Sequence, residues 1–416
     1  MSVEKKVPEI RFEGFSVEWE EKNLGEIGSL KNGMNFDKSA MGHGHPFVNL
    51  QDVFGKNEVS SKHLGLAFST ENQRKDYSLN EGDVLFIRSS VKPEGVGEAA
   101  VVSKGMENTT YSGFIIRFRP NIEMDVNFNR FVYSTANSRK QILASSTSSA
   151  NSNINQDALQ RIQLALPCKP EQTQIGNTFQ KLDSLINQHQ QKHDKLSNIK
   201  KSMLEKMFPK QGETTPEIRF KGFSGEWERA SLGDVGDTFT GLSGKTKDDF
   251  GHGEGRFVTY MNVFSNAISD ETLIEPIEID SFQNEVKLGD VFFTTSSETP
   301  EEVGMSSVWM GEIKNVYLNS FCFGYRPRQN FDNYYLAYML RSFSFREKII
   351  FLAQGISRYN ISKKKVLDIK VRFPNFEEQT AIGHYFQKLD TLINQHQQQI
   401  IKLNNIKQAC LSKMFV

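Results

Sequence analysis

The chain has 416 residues, of which 50 are basic and 50 acidic, so its formal charge at pH 7 is zero. This length predicts two or three domains, and the neutral charge excludes an overall basic field that would attract nucleic acid by itself. Three isolated cysteines without a CxxC pair exclude a disulfide framework and a cysteine zinc site, and they indicate a reducing compartment. The N-terminal segment lacks the apolar core of a signal peptide and no run of about 18 apolar residues occurs, so we expect a cytoplasmic protein without a membrane partner.

An internal repeat organises the whole sequence. The segment PEIRFEGFSVEWE begins at Pro8 and returns at Pro216 as PEIRFKGFSGEWE, 208 residues later, with 11 of 13 positions identical. The segment 171–208 returns as 378–415, 207 residues later, with 26 of 38 positions identical. Because the two offsets agree while the sequence between these segments diverges, we predict one structural unit that occurs twice with different contents.

In chain order, each half continues from its PEIRF segment into a variable region. Short runs of Val, Ile, Phe and Tyr between turn residues predict strands at HPFVNLQDVFG, GDVLFIRSS and SGFIIRFRP, and in the second half at GRFVTYMNVF, GDVFFTTSS and FCFGYRP. Helical stretches are predicted at NFNRFVYSTANSRKQILAS and NYYLAYMLRSFSFREKIIFLAQ. Both variable regions therefore belong to the mixed α+β class.

Each half ends with a long helix. Apolar residues and histidines recur at alternating steps of four and three, which is the seam pattern of a coiled coil, and further apolar positions widen the stripe so that it can face a second neighbour. His189 and His396 occupy the same seam position, and we favour a role in register over metal binding because no second ligand lies at a suitable spacing. The predicted boundaries are a first globular domain at 1–167, its helix at 168–209, a linker at 210–215, a second globular domain at 216–374 and its helix at 375–416.

No catalytic motif is found. The SGKT at Ser243 resembles the end of a phosphate loop, but position 239, where that loop needs glycine, is Phe239. The GHGH at Gly42 is more typical of a turn than of a metal site, and Gx[ST]xG, HExxH and methyltransferase motifs are missing from the sequence. We therefore predict a chain that is not an enzyme and binds no cofactor or metal itself.

Polar loops follow the GDV strands at the same place in both halves. IRSSVK corresponds to TTSSET, and STSSANSNIN corresponds to GISRYNISKKK. Arg, Asn, Ser and Thr are side chains that contact base edges and phosphates. An ordinary solvated loop is the alternative for any single residue, but the paired placement favours a binding role.

These features together resemble a known family. The duplicated PEIRFxGFxxEW opening, the GDVLFIRSS and GDVFFTTSSE segments, the GLSGK…FGHGEGRFVTYMNVF block and the EQTxIGxxFQKLDxLI helices resemble the specificity subunit of type I restriction-modification systems, over essentially the whole chain. The resemblance implies that residues 1–167 and 216–374 are target recognition domains in tandem. It also implies that the two long helices pair as an antiparallel coiled-coil spacer with pseudo-two-fold symmetry.

The resemblance further implies the function and the partners. Two different recognition domains would read an asymmetric, bipartite target in double-stranded DNA. The chain would dock two methyltransferase subunits, which carry S-adenosylmethionine and methylate adenine, and through them two ATP- and Mg-dependent restriction subunits. Phosphate neutralisation would then be shared with the methyltransferase, which agrees with the zero net charge.

Candidate contact residues follow from loop position and side-chain chemistry. For the first half-site we predict Asn32, His43, His45, Arg88, Ser89, Ser90, Lys92 and Asn153. For the second we predict Ser243, Lys245, Tyr260, Thr295, Ser296, Arg358, Tyr359 and Asn360. The widened apolar stripe predicts partner docking at Phe179, Leu182, Leu185, Ile186, Phe386, Leu389, Leu392 and Ile393, some of which must belong to the seam between the helices.

Two other function classes fit parts of the sequence. A coiled-coil scaffold with two protein-binding modules and no DNA role agrees with the neutral charge, but it does not explain why the repeated segments stay alike while the regions between them diverge. An enzyme acting alone, such as a nuclease, is disfavoured because no set of catalytic residues can be assembled.

Overall fold

The computed structural model describes residues 7–148 and 151–416. Residues 1–6 of the N-terminal segment and 149–150 of the STSSANSNIN loop, which the sequence analysis used, lie outside the described residues. The chain forms two compact units: the first comprises Met1–Gln190 with Gln398–Val416, and the second comprises Gln191–Gln397. Each unit thus contains one globular half and parts of both long helices.

The first half of the chain is a mixture of short strands and helices. Its strands are β1 (Glu20–Asn23), β2 (Gly28–Asn32), β3 (Met41–Val48), β4 (Gly65–Ala67), β5 (Val84–Ile87), β6 (Ser89–Ser90), β7 (Ala99–Val101), β8 (Thr110–Tyr111), β9 (Ile115–Pro120), β10 (Thr147–Ser148), β11 (Ser152–Asn153) and β12 (Gln163–Leu166). Its helices are α1 (Leu24–Ile27), α2 (Glu71–Asp76), α3 (Val126–Val132), α4 (Ala136–Ala144), α5 (Gln156–Gln160) and the long α6 (Lys169–Lys206).

The second half follows the same order, except that in the described part of the chain it has no counterpart of α2 or β10 and has one additional α-helix, Tyr260–Ser265. Its strands are β13 (Glu228–Ser231), β14 (Gly236–Thr240), β15 (Phe250–Val258), β16 (Ile274–Ile277), β17 (Val291–Thr294), β18 (Ser296–Ser297), β19 (Ser306–Val308), β20 (Val316–Leu318), β21 (Cys322–Pro327), β22 (Tyr359–Asn360) and β23 (Lys370–Phe373). Its helices are α7 (Leu232–Val235), α8 (Tyr260–Ser265), α9 (Asn333–Met339), α10 (Phe343–Leu352), α11 (Lys363–Leu367) and the long α12 (Phe376–Lys413).

The sheets have the same connectivity in both units. The central sheet is ordered β2-β9-β5-β7 in the first unit and β14-β21-β17-β19 in the second. A second sheet is ordered β4-β3-β8 and β16-β15-β20, respectively, and a two-stranded ribbon joins β1 to β12 and β13 to β23. The predicted α+β class and tandem arrangement are confirmed. No helix within the described residues is both long enough and apolar enough to cross a lipid bilayer.

Two predicted strands are partly wrong. In HPFVNLQDVFG the strand β3 ends at Val48, and Leu50–Asp52 form a short 3-10 helix. In GRFVTYMNVF only the first residues belong to β15, and Tyr260–Ser265 form α8. The side chain of Thr259 accepts a hydrogen bond from the backbone N–H of Asn262, which caps this helix. The cap ends the strand although the following residues have strand-forming composition.

The repeated GDV sequence is explained by a buried aspartate that is paired with a partly exposed arginine. The Asp83 carboxylate is 1 % exposed and accepts from Nε and Nη2 of Arg119 at 2.7 and 2.6 Å. Asp290 and Arg326 make the same pair at 2.7 and 2.6 Å in the second unit. The pKa of both arginines is raised, primarily because each donates to its aspartate. The ion pair connects the turn before β5 to β9 in the first unit, and the turn before β17 to β21 in the second.

The two most similar repeated segments contact each other within each unit. Arg11 of the first PEIRF segment donates from Nε and Nη2 to the buried Glu171 carboxylate of α6, both at 2.7 Å. Arg219 donates to Glu378 of α12 at 2.8 and 2.7 Å. Both glutamates are 1 % exposed, so removing either arginine would leave a buried charge unpaired. The sequence identity of these segments therefore reflects one buried bidentate contact that occurs twice.

The long helices run antiparallel within each unit. In the first unit, Lys407 of α12 donates to Asp183 of α6 at 2.6 Å, and its ammonium lies 5.4 Å from the centre of the Phe131 ring. In the second unit, Lys200 of α6 makes the same contact with Asp390 of α12. In the first unit the C-terminal part of α12 therefore lies beside the N-terminal part of α6. In the second unit the C-terminal part of α6 lies beside the N-terminal part of α12.

The last residues of each long helix complete the core of a globular half. Phe415, at the end of α12, lies in the first unit with its ring centre 6.3 Å from Trp19, 5.5 Å from Phe128 and 5.7 Å from Phe179. In the second unit Phe208, which follows α6, has corresponding neighbours: Trp227, Tyr335 and Phe386. The first globular half therefore takes part of its core from the opposite end of the chain.

We predict that Phe415→Ala destabilises the first unit by about 3–5 kcal/mol, because it removes a buried ring and leaves a cavity among aromatic side chains. Hydrogen exchange measured by mass spectrometry should show faster exchange in peptides around Trp19 and Phe128. Phe208→Ala is the matched control and should produce the same effect around Trp227 and Tyr335. Faster exchange in the second unit alone after Phe415→Ala would contradict the assignment.

Candidate functional site

The polar loops predicted from the sequence form a small sheet in the first unit. Ser89 pairs with Asn153 and Ser90 with Ser152, in a sheet ordered β10-β11-β6. We call the pairs Ser89–Ser90 and Ser152–Asn153 the first serine sheet. The backbone N–H of Ile154 donates to the Arg88 carbonyl at 2.9 Å, and the Lys92 N–H donates to Ser90 Oγ at 3.2 Å. Five predicted residues from two loops thus lie together: Arg88, Ser89, Ser90, Lys92 and Asn153.

The sequence explains why this sheet lies at the margin of the core. Strand β5 (Val84–Ile87) is buried at every position, whereas Ser89 and Ser90 are half-buried. The chain pairs with β9 up to Ile87, and the N–H of Arg88 still donates to the Phe114 carbonyl at 2.8 Å. From Ser89 onward the partner is β11. An apolar strand therefore continues directly into a strand whose hydroxyl groups lie outside the core.

The second unit has an equivalent sheet. Ser296 pairs with Asn360 and Ser297 with Tyr359, and these four residues are the second serine sheet. Arg358 donates from Nε to Ser296 Oγ at 3.1 Å, and the Tyr260 hydroxyl donates to the Ser296 carbonyl at 2.9 Å. Burial is the main cause of the raised pKa of Tyr260. Six predicted residues are brought together here: Tyr260, Thr295, Ser296, Arg358, Tyr359 and Asn360.

The two serine sheets share their backbone pairing and three of their four side chains, and they differ at Ser152 against Tyr359 and in the residues that flank them. Ser89 and Asn153 are each 207 residues before their counterparts Ser296 and Asn360. Arg88 stands where the second unit has Thr295, and Arg358 stands where the first unit has Asn151. The same frame therefore presents a different set of hydrogen-bonding groups in each unit.

The remaining predicted residues of the first unit lie on other strands. His43 and His45 belong to β3, where His43 is exposed and its ring centre is 6.2 Å from that of Phe68. Asn32 is the last residue of β2 and pairs with Ile116. Neither histidine belongs to the first serine sheet.

Lys245 has an internal partner instead of a free charge. Its Nζ lies 2.9 Å from Asp280 and 3.8 Å from Asp249, and its side chain is 13 % exposed. The hydrogen bond from Lys245 is the main reason that the pKa of Asp280 falls to about 2. Ser243 is exposed, and its backbone N–H and carbonyl both bond to the Gln283 amide at 3.0 and 3.1 Å. The Lys245 ammonium is therefore paired with two carboxylates of its own unit.

The docking prediction is wrong for three residues of the long helices. Phe179 and Phe386 have no exposed surface and Leu389 is 7 % exposed, because all three pack in the cores of their units. The other five predicted docking residues are half-buried: Leu182, Leu185, Ile186, Leu392 and Ile393.

The sequence analysis missed two arginines that bond to the loops following Ser89–Ser90 and Ser296–Ser297. Arg139 of α4 donates to the carbonyls of Glu94 and Val96 at 2.6 and 3.0 Å. Arg346 of α10 makes three such bonds to the loop at residues 301–304. Burial lowers the pKa of Arg346 to about 10. Arg139 and Arg346 occupy equivalent positions of the repeat, in SRKQI and FREKI. This equivalence could have identified them from the sequence.

No group of three or more His, Cys, Asp or Glu side chains that could hold a metal ion occurs in the part of the chain that the structure describes. The assembled groups are hydroxyls, amides, guanidinium groups and aromatic rings. Such groups suit recognition of a polar surface.

Comparison with known proteins gives the family. The model of the type I restriction modification DNA specificity domain matches residues 16–198 and again residues 224–405. The chain belongs to this family. It is a DNA-recognition subunit of the type I restriction-modification class and is not an enzyme, so both predictions are confirmed.

Individual relatives extend over most of the chain. The MjaVIII type I restriction enzyme specificity subunit of Methanocaldococcus jannaschii is 20 % identical over 409 residues, covering 90 % of this chain and 87 % of that protein. The crystal structure of the S subunit from M. genitalium matches with a TM-score of 0.54 and 14 % identity over 99 % of both chains. A structure from work on complex assembly and conformational transition of the type I R-M system matches with a TM-score of 0.54 and 16 % identity, over 94 % of this chain and 96 % of that one.

We predict that Arg358→Ala weakens binding of the specific duplex by roughly 5- to 150-fold, which corresponds to the loss of about 1–3 kcal/mol for a good base contact. Lys245→Gln should change affinity by less than about 3-fold, because its ammonium is already paired with carboxylates. Fluorescence anisotropy with the subunit assembled in its complex would measure both. Equal losses of affinity in the two variants would contradict the prediction that Arg358 contacts DNA more strongly than Lys245.

Proposed function

We propose that the chain reads an asymmetric target in two parts, with one serine sheet contacting each part. The observation that carries this proposal is that the two sheets have the same backbone pairing, whereas Ser152 against Tyr359 and the residues that flank the sheets differ between the units. A shared frame would hold each reader in the same way against the duplex. Different side chains on that frame would then select different bases.

The chemistry of both sheets is suited to duplex DNA. Asparagine amides and exposed serine hydroxyls can contact base edges, and arginine can contact either guanine or phosphate. Ser89 and Ser90 are half-buried, whereas Ser296 and Ser297 are buried and bond to Arg358 and Glu302, so in the second sheet the contacting groups would be those of Arg358, Tyr359 and Asn360. In both sheets the asparagine amide donates to a backbone carbonyl two residues earlier: Asn153 to Asn151 at 2.9 Å, and Asn360 to Arg358 at 3.2 Å. The amide planes are thereby oriented before DNA binds.

We further propose that two methyltransferase subunits dock on the long helices and that restriction subunits join through them. Leu185 and Ile186 of α6 correspond to Leu392 and Ile393 of α12, and all four are half-buried. Equal surfaces of this kind suit two copies of one partner. The partner subunits would carry S-adenosylmethionine, ATP and Mg²⁺.

The zero net charge supports a shared DNA interface. The chain has as many acidic as basic residues, so its own field gives little phosphate neutralisation. A methyltransferase that closes around the duplex would provide the missing positive charge. The helices would set the number of unread base pairs between the two parts of the target.

Co-expression with the neighbouring methyltransferase, followed by mapping of N6-methyladenine across the host genome, tests this function. We expect one two-part motif with a fixed gap. If the proteins fail to co-purify and no new methylation occurs, the proposal is wrong.

Substitution of the two matched asparagines should separate the half-sites. We predict that Asn360→Ala relaxes base preference in one part of the motif and leaves the other unchanged, and that Asn153→Ala does the reverse. Each change removes one amide from one sheet, and loss of such a contact is worth about 1–3 kcal/mol in base discrimination. The genome-wide methylation map measures both outcomes. A variant that relaxes both parts equally would refute the one-sheet, one-part assignment.

A further inference from the structure

Two exposed phenylalanines occupy equivalent positions beside the serine sheets. Phe114 is 57 % exposed and Phe321 is 62 % exposed, and they are 207 residues apart. Each precedes the strand that crosses the middle of its unit, β9 or β21, in which the next residue is buried. Burial of apolar surface stabilises a protein or complex by roughly 25 cal/mol for each Å² removed from water, and an exposed phenylalanine ring lacks this stabilisation.

Backbone hydrogen bonds connect each phenylalanine to its serine sheet. The Phe114 carbonyl accepts from the N–H of Arg88 at 2.8 Å, and Arg88 immediately precedes Ser89. The Phe321 carbonyl accepts from the N–H of Thr295 at 2.9 Å, and Thr295 immediately precedes Ser296. The backbone of each phenylalanine is therefore bonded to the residue that precedes a serine sheet.

The turn that carries each ring is also held from the other side. The N–H of Phe114 donates to Ser112 Oγ at 3.3 Å, and the N–H of Phe321 donates to Asn319 Oδ1 at 2.9 Å. Asn319 is 5 % exposed and donates from Nδ2 to the Val258 carbonyl at 2.9 Å. Residues 112 and 319 are equivalent in the repeat, so the same cap occurs with two different side chains.

Two glycines allow a neighbouring strand to approach these turns. A Cβ atom on Gly33 would lie 2.2 Å from the Ser112 carbonyl oxygen, and one on Gly241 would lie 2.1 Å from the Asn319 carbonyl oxygen. Any other residue at either position would push the turn away. The rings are thus exposed on rigid backbone, which reduces the entropy lost when a surface binds them.

We propose that Phe114 and Phe321 contact the bases of the two half-sites, each ring lying against apolar base surface such as a thymine methyl group or a partly opened base step. Both kinds of contact are made by apolar side chains in DNA grooves. This inference rests on the proposed function, since it assigns one ring to each part of the target.

The surroundings of the rings favour DNA over a docked protein. Serine is depleted at the centres of protein interfaces, and the backbone of each phenylalanine is bonded to the residue before a serine pair. Two copies of one methyltransferase would also require equal surfaces around both rings. The residues beside the rings instead differ, with Arg88 against Thr295 and Ser112 against Asn319.

Photocrosslinking in the full complex tests the assignment. A p-benzoylphenylalanine at position 114 or 321, in the chain assembled with its methyltransferase, should crosslink to a labelled duplex that carries the target. Phe376, the first residue of α12, is 47 % exposed and serves as the matched control position, which should give no DNA crosslink. Crosslinks from 114 and 321 to the methyltransferase alone would overturn the inference.

Alanine substitution provides a second measurement. Phe114→Ala and Phe321→Ala should each weaken binding of the target duplex by about 5- to 30-fold and leave thermal unfolding unchanged, whereas Phe376→Ala should leave affinity unchanged. If the complex binds a two-part target but neither affinity nor crosslinking involves these rings, the inference is wrong and the proposed function stands. If the assembled complex binds no specific duplex, both are wrong.

Discussion

Burial of one aromatic side chain at the end of a long helix is the constraint on which each unit depends. Phe415 and Phe208 lie among a tryptophan and other aromatic rings, where they close the core of a globular half. Because Phe415 belongs to the last residues of the chain, the first unit cannot complete its core until α12 is present. Local sequence alone therefore does not make the first half an independent domain, and the strong identity of the two helix ends follows from this shared packing task.

Buried ion pairs fix the remainder of the frame and allow the loops to diverge. Arg11 with Glu171 and Asp83 with Arg119 each join segments distant in sequence, and both pairs recur in the second unit. A bidentate pair is specific in geometry, and loss of one partner leaves an uncompensated buried charge. The frame is thus intolerant of change at a few positions, while the exposed residues near the serine sheets contribute little to stability and can vary.

Much of this architecture could be predicted from the sequence. The repeat offset indicated two equivalent units, the apolar run before IRSS predicted a buried strand, and the paired polar loops located both serine sheets. Contacts between distant segments could not be predicted, because no local pattern shows that Lys245 faces Asp280 or that Phe179 lies under Phe415. Periodicity marks an apolar helix face but does not say whether the chain itself or a partner covers it, which is why Phe179, Phe386 and Leu389 were misassigned.

The exposed phenylalanines follow from the same division between frame and surface. Phe114 and Phe321 are tied by their backbones to the frame, and their rings extend from it beside side chains that differ between the units. A reader built in this way needs few new contacts to change its target, since the aromatic ring can supply affinity that tolerates many sequences while the neighbouring amides, hydroxyls and guanidinium groups supply selection. Rigid attachment favours both affinity and selection. A mobile ring or amide would lose conformational entropy on binding, and this loss would offset much of the free energy gained from the new contact.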